Sequence, residues 1–167
     1  MAADSLSKFR KLVLRGESVH TEFGEFSVRT YKRYEGRNPR TGELVIVPAK
    51  HQFFLRLADA FRNDVLDRSR PPQAPTRSTA SPHISFADDY FAIVAQLRRK
   101  KVTPVHDPDA WPDTAPEEPV AWHDLGWFAV FRGPDHDEHH DEPTVRTAVV
   151  FRPSDEIIEA LATALGE

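Results

Sequence analysis

Apolar residues first recur at helical spacing: Leu6, Phe9, Leu12 and Val13 fall on one face, Ser5 stands in an N-cap position and Gly16 supplies a stop. The period then changes. In "SVHTEFGEFSVRTYKRY" the positions Val19, Phe23, Phe26, Val28 and Tyr31 follow strand alternation, with Gly24 as a bulge or a point of close approach. "ELVIVP" adds a β-branched run, so two strands flank the stretch "GRNPRTG". "HQFFLRLADAFRNDVL" then places Phe53, Phe54, Leu57, Phe61 and Leu66 near one helical face. The first half is expected to run helix, hairpin, helix.

The same order recurs further along. "SFADDYFAIVAQLRRKKV" reads as a helix with Ser85 and Asp88 as a capping box. "DLGWFAVFR" repeats the pattern of "EFGEFSVRT", setting Leu125 with Phe23, Gly126 with Gly24, Phe128 with Phe26 and Val130 with Val28. "VVFRPSDEIIEALATAL" copies the apolar spacing of "IVPAKHQFFLRLADAF", with Ile157, Ile158, Leu161, Ala162, Ala164 and Leu165 answering Phe53, Phe54, Leu57, Ala58, Ala60 and Phe61. The reading is a degenerate internal repeat, residues 1–68 and 84–167, joined by a Pro/Ser/Thr-rich linker over 69–83. A second Pro-rich stretch, 103–119, excludes helix and central strand and is expected as a long loop anchored by Trp111. Trp122 and Trp127, five positions apart, point to opposite sheet faces and are expected in core or interface packing.

Length and composition set limits on function. A chain of 167 residues has enough surface to bury for one domain or two small ones. It has no cysteine, which excludes a disulfide framework, a thiolate metal site and a thiol nucleophile. Neither a signal-peptide run nor about 18 consecutive apolar residues occurs, so a cytoplasmic protein without a membrane partner is expected. The formal net charge of -4 conceals a division: residues 1–70 hold 14 Lys and Arg against 9 Asp and Glu, residues 71–167 hold 8 against 17. Such asymmetry points to a polyanion-binding part joined to an acidic part.

The basic part concentrates on the hairpin. Arg29, Lys32, Arg33, Arg37 and Arg40 lie along it against Glu35 and Glu43. On a projecting ribbon these cations would neutralise phosphates, and a tip proline, Pro39, would act as an apolar wedge between base steps. From spacing alone the stretch is equally a polar hairpin turn, since Pro and Gly serve a turn by themselves.

The stretch "FGEFSVRTYKRYEGRNPRTGELVIVPAK" closely resembles the bacterial HU/IHF family of histone-like DNA-binding proteins. The family pattern runs Gly-Phe-Gly-x-Phe, a basic stretch, Gly-x-Asn-Pro-x-Thr-Gly, then a strand ending in Pro-Ala. Matching residues are Phe23, Gly24, Phe26, Val28, Arg29, Gly36, Arg37, Asn38, Pro39, Thr41, Gly42, Ile46, Pro48 and Ala49. The resemblance covers roughly residues 12 to 66. It implies an α+β fold, helices beneath a β-saddle from which two arms embrace the minor groove of double-stranded DNA, in a nucleoid-associated, DNA-bending role. It implies Arg29, Lys32, Arg33, Arg37, Asn38, Pro39, Arg40 and Lys50 as the DNA-binding residues, with Pro39 intercalating. Family members are intertwined dimers, so the internal repeat suggests a tandem pseudo-dimer within one chain; a homodimer of chains, or pairing with another HU-like protein, would bury the same faces.

Some positions depart from the pattern. Glu22 replaces the first Gly of Gly-Phe-Gly, and the chain before Ser5 is too short for the family's first helix. The second hairpin carries "GPDHDEHHDEPTVR", where Asp135, Asp137, Glu138, Asp141 and Glu142 would repel a phosphate backbone. That acidic arm favours a basic partner, so the alternative function is an HU-derived interaction module with weak or no DNA binding. His136, His139 and His140 with these carboxylates offer metal ligands, but a solvated loop without ordered support is a poor site, and no metal or cofactor is expected. No Gly-rich phosphate loop, Gly-x-Ser-x-Gly or His-Glu-x-x-His occurs, so an enzyme is not expected.

Overall fold

The computed structural model of the chain describes residues 2–73, 82–111, 114–135 and 144–165. Helix α1 (Ala2–Leu14) buries Phe9 and Val13 and leads through Gly16 into strand β1 (Val19–Thr21). Strand β2 (Gly24–Tyr31) pairs antiparallel with β1 on one side and with β5 (Lys50–Leu57) on the other. Between β2 and β5 the chain runs out as a two-stranded ribbon, β3 (Tyr34–Arg37) with β4 (Leu44–Val47), and α2 (Asp59–Leu66) follows β5. The second half places α3 (Ala87–Arg99), the short strand β6 (Thr103–Pro104), a 3-10 turn (Pro108–Ala110), β7 (Val120–Trp122), β8 (Gly126–Asp135), β9 (Thr144–Pro153) and α4 (Asp155–Leu165) in that order. The result is a mixed helix and strand fold. Residues 74–81 of the expected linker and 136–143 of the acidic arm, with His136, His139 and His140, lie outside the described residues.

Gly24 explains why Gly-x-Phe stands here and again at Gly126. Its φ is +135°, and a Cβ would overlap the carbonyl oxygen of Arg56 where β5 crosses it. The close approach lets Ala58 N donate to Phe23 O at 2.9 Å, which fixes the step from β5 into α2. The second sheet repeats this step: Ser154 N donates to Leu125 O at 2.9 Å, and Gly126 pairs with Pro153 as Gly24 pairs with Leu57.

Five local expectations are corrected. Residues 50–57 form a strand rather than the start of a helix, because eight consecutive pairs with β2, from Gly24↔Leu57 to Tyr31↔Lys50, outweigh the helical spacing of Phe53, Phe54 and Leu57. This also shifts the expected matching of the two halves: counted from the Leu57 and Pro153 pairs, Ile157 stands in the position of Phe61, not Phe53. Helix α1 begins at Ala2, so Ser5 lies inside it, and α3 has no capping box, since its N-cap is Phe86 and makes no side-chain cap. The 103–119 stretch holds a short edge strand, β6 paired parallel to β8, and not loop alone; Pro104 is tolerated because it sits at an edge.

One hydrophobic core serves both halves. Phe9, Phe23, Phe26, Phe53 and Phe61 from the first pack with Tyr90, Trp122, Phe128, Ile157 and Leu161 from the second. The Trp122 ring lies 5.1 Å from Phe23, 5.3 Å from Phe26, 5.5 Å from Phe9 and 5.2 Å from Phe86. Elements cross over reciprocally: α4 packs on β5 and α1, while α2 packs on β9 and α3. Two polar ties add to this. Glu22, buried, accepts hydrogen bonds from Ser85 and Phe86, and Asp64, buried at the end of α2, accepts one from Tyr90 on α3. Residues 82–84 lie along β1, His20 N donating to Pro82 O and Ile84 N to His20 O.

Candidate nucleic-acid interface

The ribbon begins where β2 and β5 leave the core. Val28 and Phe53 still face inward, whereas the next residues outward are exposed. Lys32-Arg33 on one strand and Pro48-Ala49 on the other interrupt pairing before β3 and β4 resume in the register Tyr34↔Val47 to Arg37↔Leu44. From Tyr31 to Pro39 the ribbon has room to extend about 26 Å at the strand rise per residue. Tyr34, Leu44, Val45 and Ile46 are exposed, so the arm carries apolar side chains as well as charge.

Its tip is closed by local hydrogen bonds. Asn38 N donates to Glu43 O at 2.9 Å and Gly42 N to Asn38 O at 2.8 Å, while Asn38 Oδ1 accepts from Arg40 N at 2.9 Å. The side-chain bond is the reason for asparagine: it mimics a backbone turn and holds the bend at Pro39. Gly42 adopts φ +72°, open to glycine without steric cost. Pro39 and Arg40 are exposed at the outermost point.

The base of the arm is an outward sheet face. Because Phe26 and Phe53 face the core, the alternate pairs Glu25↔Arg56, Ser27↔Phe54, Arg29↔Gln52 and Tyr31↔Lys50 face out. Arg29 lies over the Phe54 ring at 5.4 Å and donates to Tyr31 Oη at 3.3 Å; Lys50 lies over the Tyr31 ring at 5.1 Å. The cations rest on aromatic faces that orient them without neutralising them. Among the described residues no carboxylate stands within ion-pair distance of Arg29, Lys32, Arg33, Arg37, Arg40 or Lys50.

The structure thus brings all eight sequence-predicted residues onto one arm and its base. Sequence reasoning missed Arg56 and the Phe54 platform, because residues 50–57 read as helix; the signal was the period-2 alternation of Lys50, Gln52, Phe54 and Arg56. Neither sheet brings together a cluster of three or more His, Asp or Glu side chains suited to a metal among the described residues. Among these residues, too, no helix is long and apolar enough to cross a membrane.

Comparison with known proteins places this arm in context. The family described as "Bacterial DNA-binding protein" matches residues 3–65. The integration host factor subunit alpha of Albidiferax ferrireducens is 34% identical over 76 residues, 45% of this chain and 68% of that protein. That of Buchnera aphidicola subsp. Acyrthosiphon pisum is 33% identical over 57 residues, 34% of this chain and 56% of that protein. A cocrystal structure of Anabaena HU with DNA is 32% identical, with a TM-score of 0.29 over 39% of this chain and 72% of that one. The chain belongs to the HU/IHF family of nucleoid-associated bacterial DNA-binding proteins.

Proposed function

We propose that this chain is an architectural DNA-binding protein of the nucleoid that lays its β-arm in the minor groove of duplex DNA, with Pro39 as a wedge and low sequence preference. The observation that carries this reading is the arm itself, an exposed ribbon whose arginines and lysines have no carboxylate partner among the described residues. Unpaired cations on an extended ribbon gain most from a phosphate backbone, because each phosphate they neutralise releases condensed counterions. The exposed Leu44, Val45 and Ile46 suit the apolar sugar walls of a groove about 6 Å wide. Arg29, Lys32, Arg33, Arg37, Arg40 and Lys50 contact phosphate and groove edge, and Asn38 holds the tip that presents Pro39. Such contacts position the protein without reading sequence.

In this reading the two halves form a single-chain pseudo-dimer. What supports it is the reciprocal packing of α4 on β5 and α2 on β9 and the repeated Gly24 and Gly126 steps. One chain then offers one basic arm, and no catalytic chemistry is required of it.

The test is duplex binding as a function of salt. The wild-type chain should lose affinity steeply between about 50 and 200 mM salt. Replacing both Arg37 and Arg40 by Ala should weaken binding and reduce the log–log salt slope by about 1.8, near 0.9 for each phosphate left without its cation. Binding that is undetectable, or indifferent to salt, would sink the reading.

A further inference from the structure

The outward face of the second sheet is not open as the first is. By register, its pairs Trp127↔Arg152, Ala129↔Val150, Phe131↔Ala148 and Gly133↔Arg146 stand where Glu25↔Arg56, Ser27↔Phe54, Arg29↔Gln52 and Tyr31↔Lys50 stand in the first. Two basic positions are therefore shared: Arg152 answers Arg56, and Arg146 answers Lys50. Yet on the second sheet the residues between them are buried, Ala129 at 2% and Phe131 at 1% exposure.

What buries them is the Pro-rich stretch 103–111. β6 pairs parallel with β8, Val105 N donates to Arg132 O at 2.8 Å, and Val105 and Trp111 complete a small second core over Ala129 and Phe131. The backbone at Val105 comes so close to Gly133 that a Cβ there would overlap the Val105 carbonyl oxygen. Trp111 is the latch: its Nε1 donates to Pro134 O at 2.8 Å and its ring lies 4.1 Å beneath the Arg146 guanidinium. Arg152 donates to Trp111 O at 2.9 Å and to Thr114 O at 3.2 Å and lies over the Trp127 ring at 5.4 Å. Carbonyl dipoles and aromatic faces hold Arg152, and among the described residues no carboxylate pairs with it.

We propose that the second sheet carries a latent duplex-DNA-binding face, built on Arg146 and Arg152 with Trp127, which the 103–111 segment seals. The inference rests on the reading of the first face as the DNA platform. It makes the native chain a one-sided binder, whose footprint is that of one arm and one sheet face.

The experiment measures binding of a fluorescent 30-bp duplex across a salt series for the full chain, Arg152→Ala, Trp111→Ala, and Trp111→Ala with Arg146→Ala and Arg152→Ala. Exchange of the Val105 amide hydrogen reports whether the seal has opened, and circular dichroism reports folding. Trp111→Leu, which keeps apolar cover but removes the indole donor and the ring face, serves should the alanine variant not fold. The expected result is tighter binding by Trp111→Ala, with a slope steeper by about 1.8 for two added phosphates and a longer protected footprint, both reversed by the arginine replacements. An opened seal with unchanged affinity and slope would overturn the proposal, as would a wild-type slope that already falls on replacing Arg152. Failure of the arm reading shows separately, as absent binding by the wild-type chain; binding gained only on Trp111→Ala would then still support the sealed face.

Discussion

The Glu22 carboxylate accepts a hydrogen bond from Ser85 Oγ at 2.5 Å, and its other oxygen accepts one from Phe86 N at 2.7 Å. Phe86 is the N-cap of α3, whose own side chain gives that terminus no cap, so a carboxylate from the first half takes the place of one. Negative charge at a helix start is favoured by the orphan N–H groups there. The residue that departs most visibly from the family pattern therefore ties the two halves together. Glu22→Ala should cost about 1.5–3 kcal/mol, the value of a buried hydrogen-bonded charge, read from urea denaturation. Duplex affinity of the folded protein should not change, since Glu22 is remote from the arm; a variant as stable as wild type would show that the tie contributes nothing.

Tyr90 gives a second tie with a pH signature. Burial first, then the hydrogen bond to Asp64 and its charge, pushes the Tyr90 phenol well above its ordinary value. A raised folded value means that the fold holds the protonated phenol. Its contribution is complete below pH 10 and is lost as pH rises beyond, because the unfolded chain ionises first. Tyr90→Phe removes a donor from Asp64, which is 2% exposed, and should destabilise by about 1–3 kcal/mol at pH 7. The gap between wild type and variant should narrow by about pH 11. A gap of constant size would show that the phenol does not titrate in this way.

The shared core predicts one unfolding event. Trp122 belongs to the second half but touches Phe9, Phe23 and Phe26 of the first. Neither half keeps its aromatic core when the other leaves. Thermal or urea unfolding should give coincident transitions by fluorescence and circular dichroism. Trp122→Ala should lower stability by about 3–5 kcal/mol without separating the transition into two. Two resolved transitions in the wild-type chain would mean that the halves fold independently.

These residues also show what the sequence made legible. The turn at Asn38-Pro39 was readable because its chemistry is local, two to five residues deep. Gly24 was readable as a point of close approach from its residue type, although the partners that require it, Arg56 and Ala58, lie more than 30 residues away. Trp111 was readable as an anchor because it is the one large aromatic in a Pro-rich stretch. Strand β5 was not, since Phe53, Phe54 and Leu57 satisfy helical spacing as well, and only the pairing with β2 decides between them. Because that strand was misread, the outward positions of Phe54 and Arg56 stayed hidden. Ser85 likewise looked like a helix cap for Asp88, when its real partner, Glu22, lies 63 residues away in the chain.

The wedge role proposed for Pro39 separates from the charge of the arm. Three hydrogen bonds close the tip, Asn38 N to Glu43 O, Gly42 N to Asn38 O and Arg40 N to Asn38 Oδ1, and none uses the proline ring. Pro39→Ala should therefore keep the arm and most of its phosphate contacts. It removes only the rigid apolar group that would enter between base steps, an insertion that costs a few kcal/mol of unstacking and is repaid by contacts along bent DNA. The expected outcome is a smaller bend, seen as reduced energy transfer between dyes at the ends of a short duplex, with the salt slope of wild type. Replacing Arg37 and Arg40 should do the reverse, lowering the slope and weakening binding on all sequences alike. If Pro39→Ala left the bend intact, the kink would have to be assigned to the exposed Leu44 or Ile46 of the ribbon, or to the phosphate contacts alone.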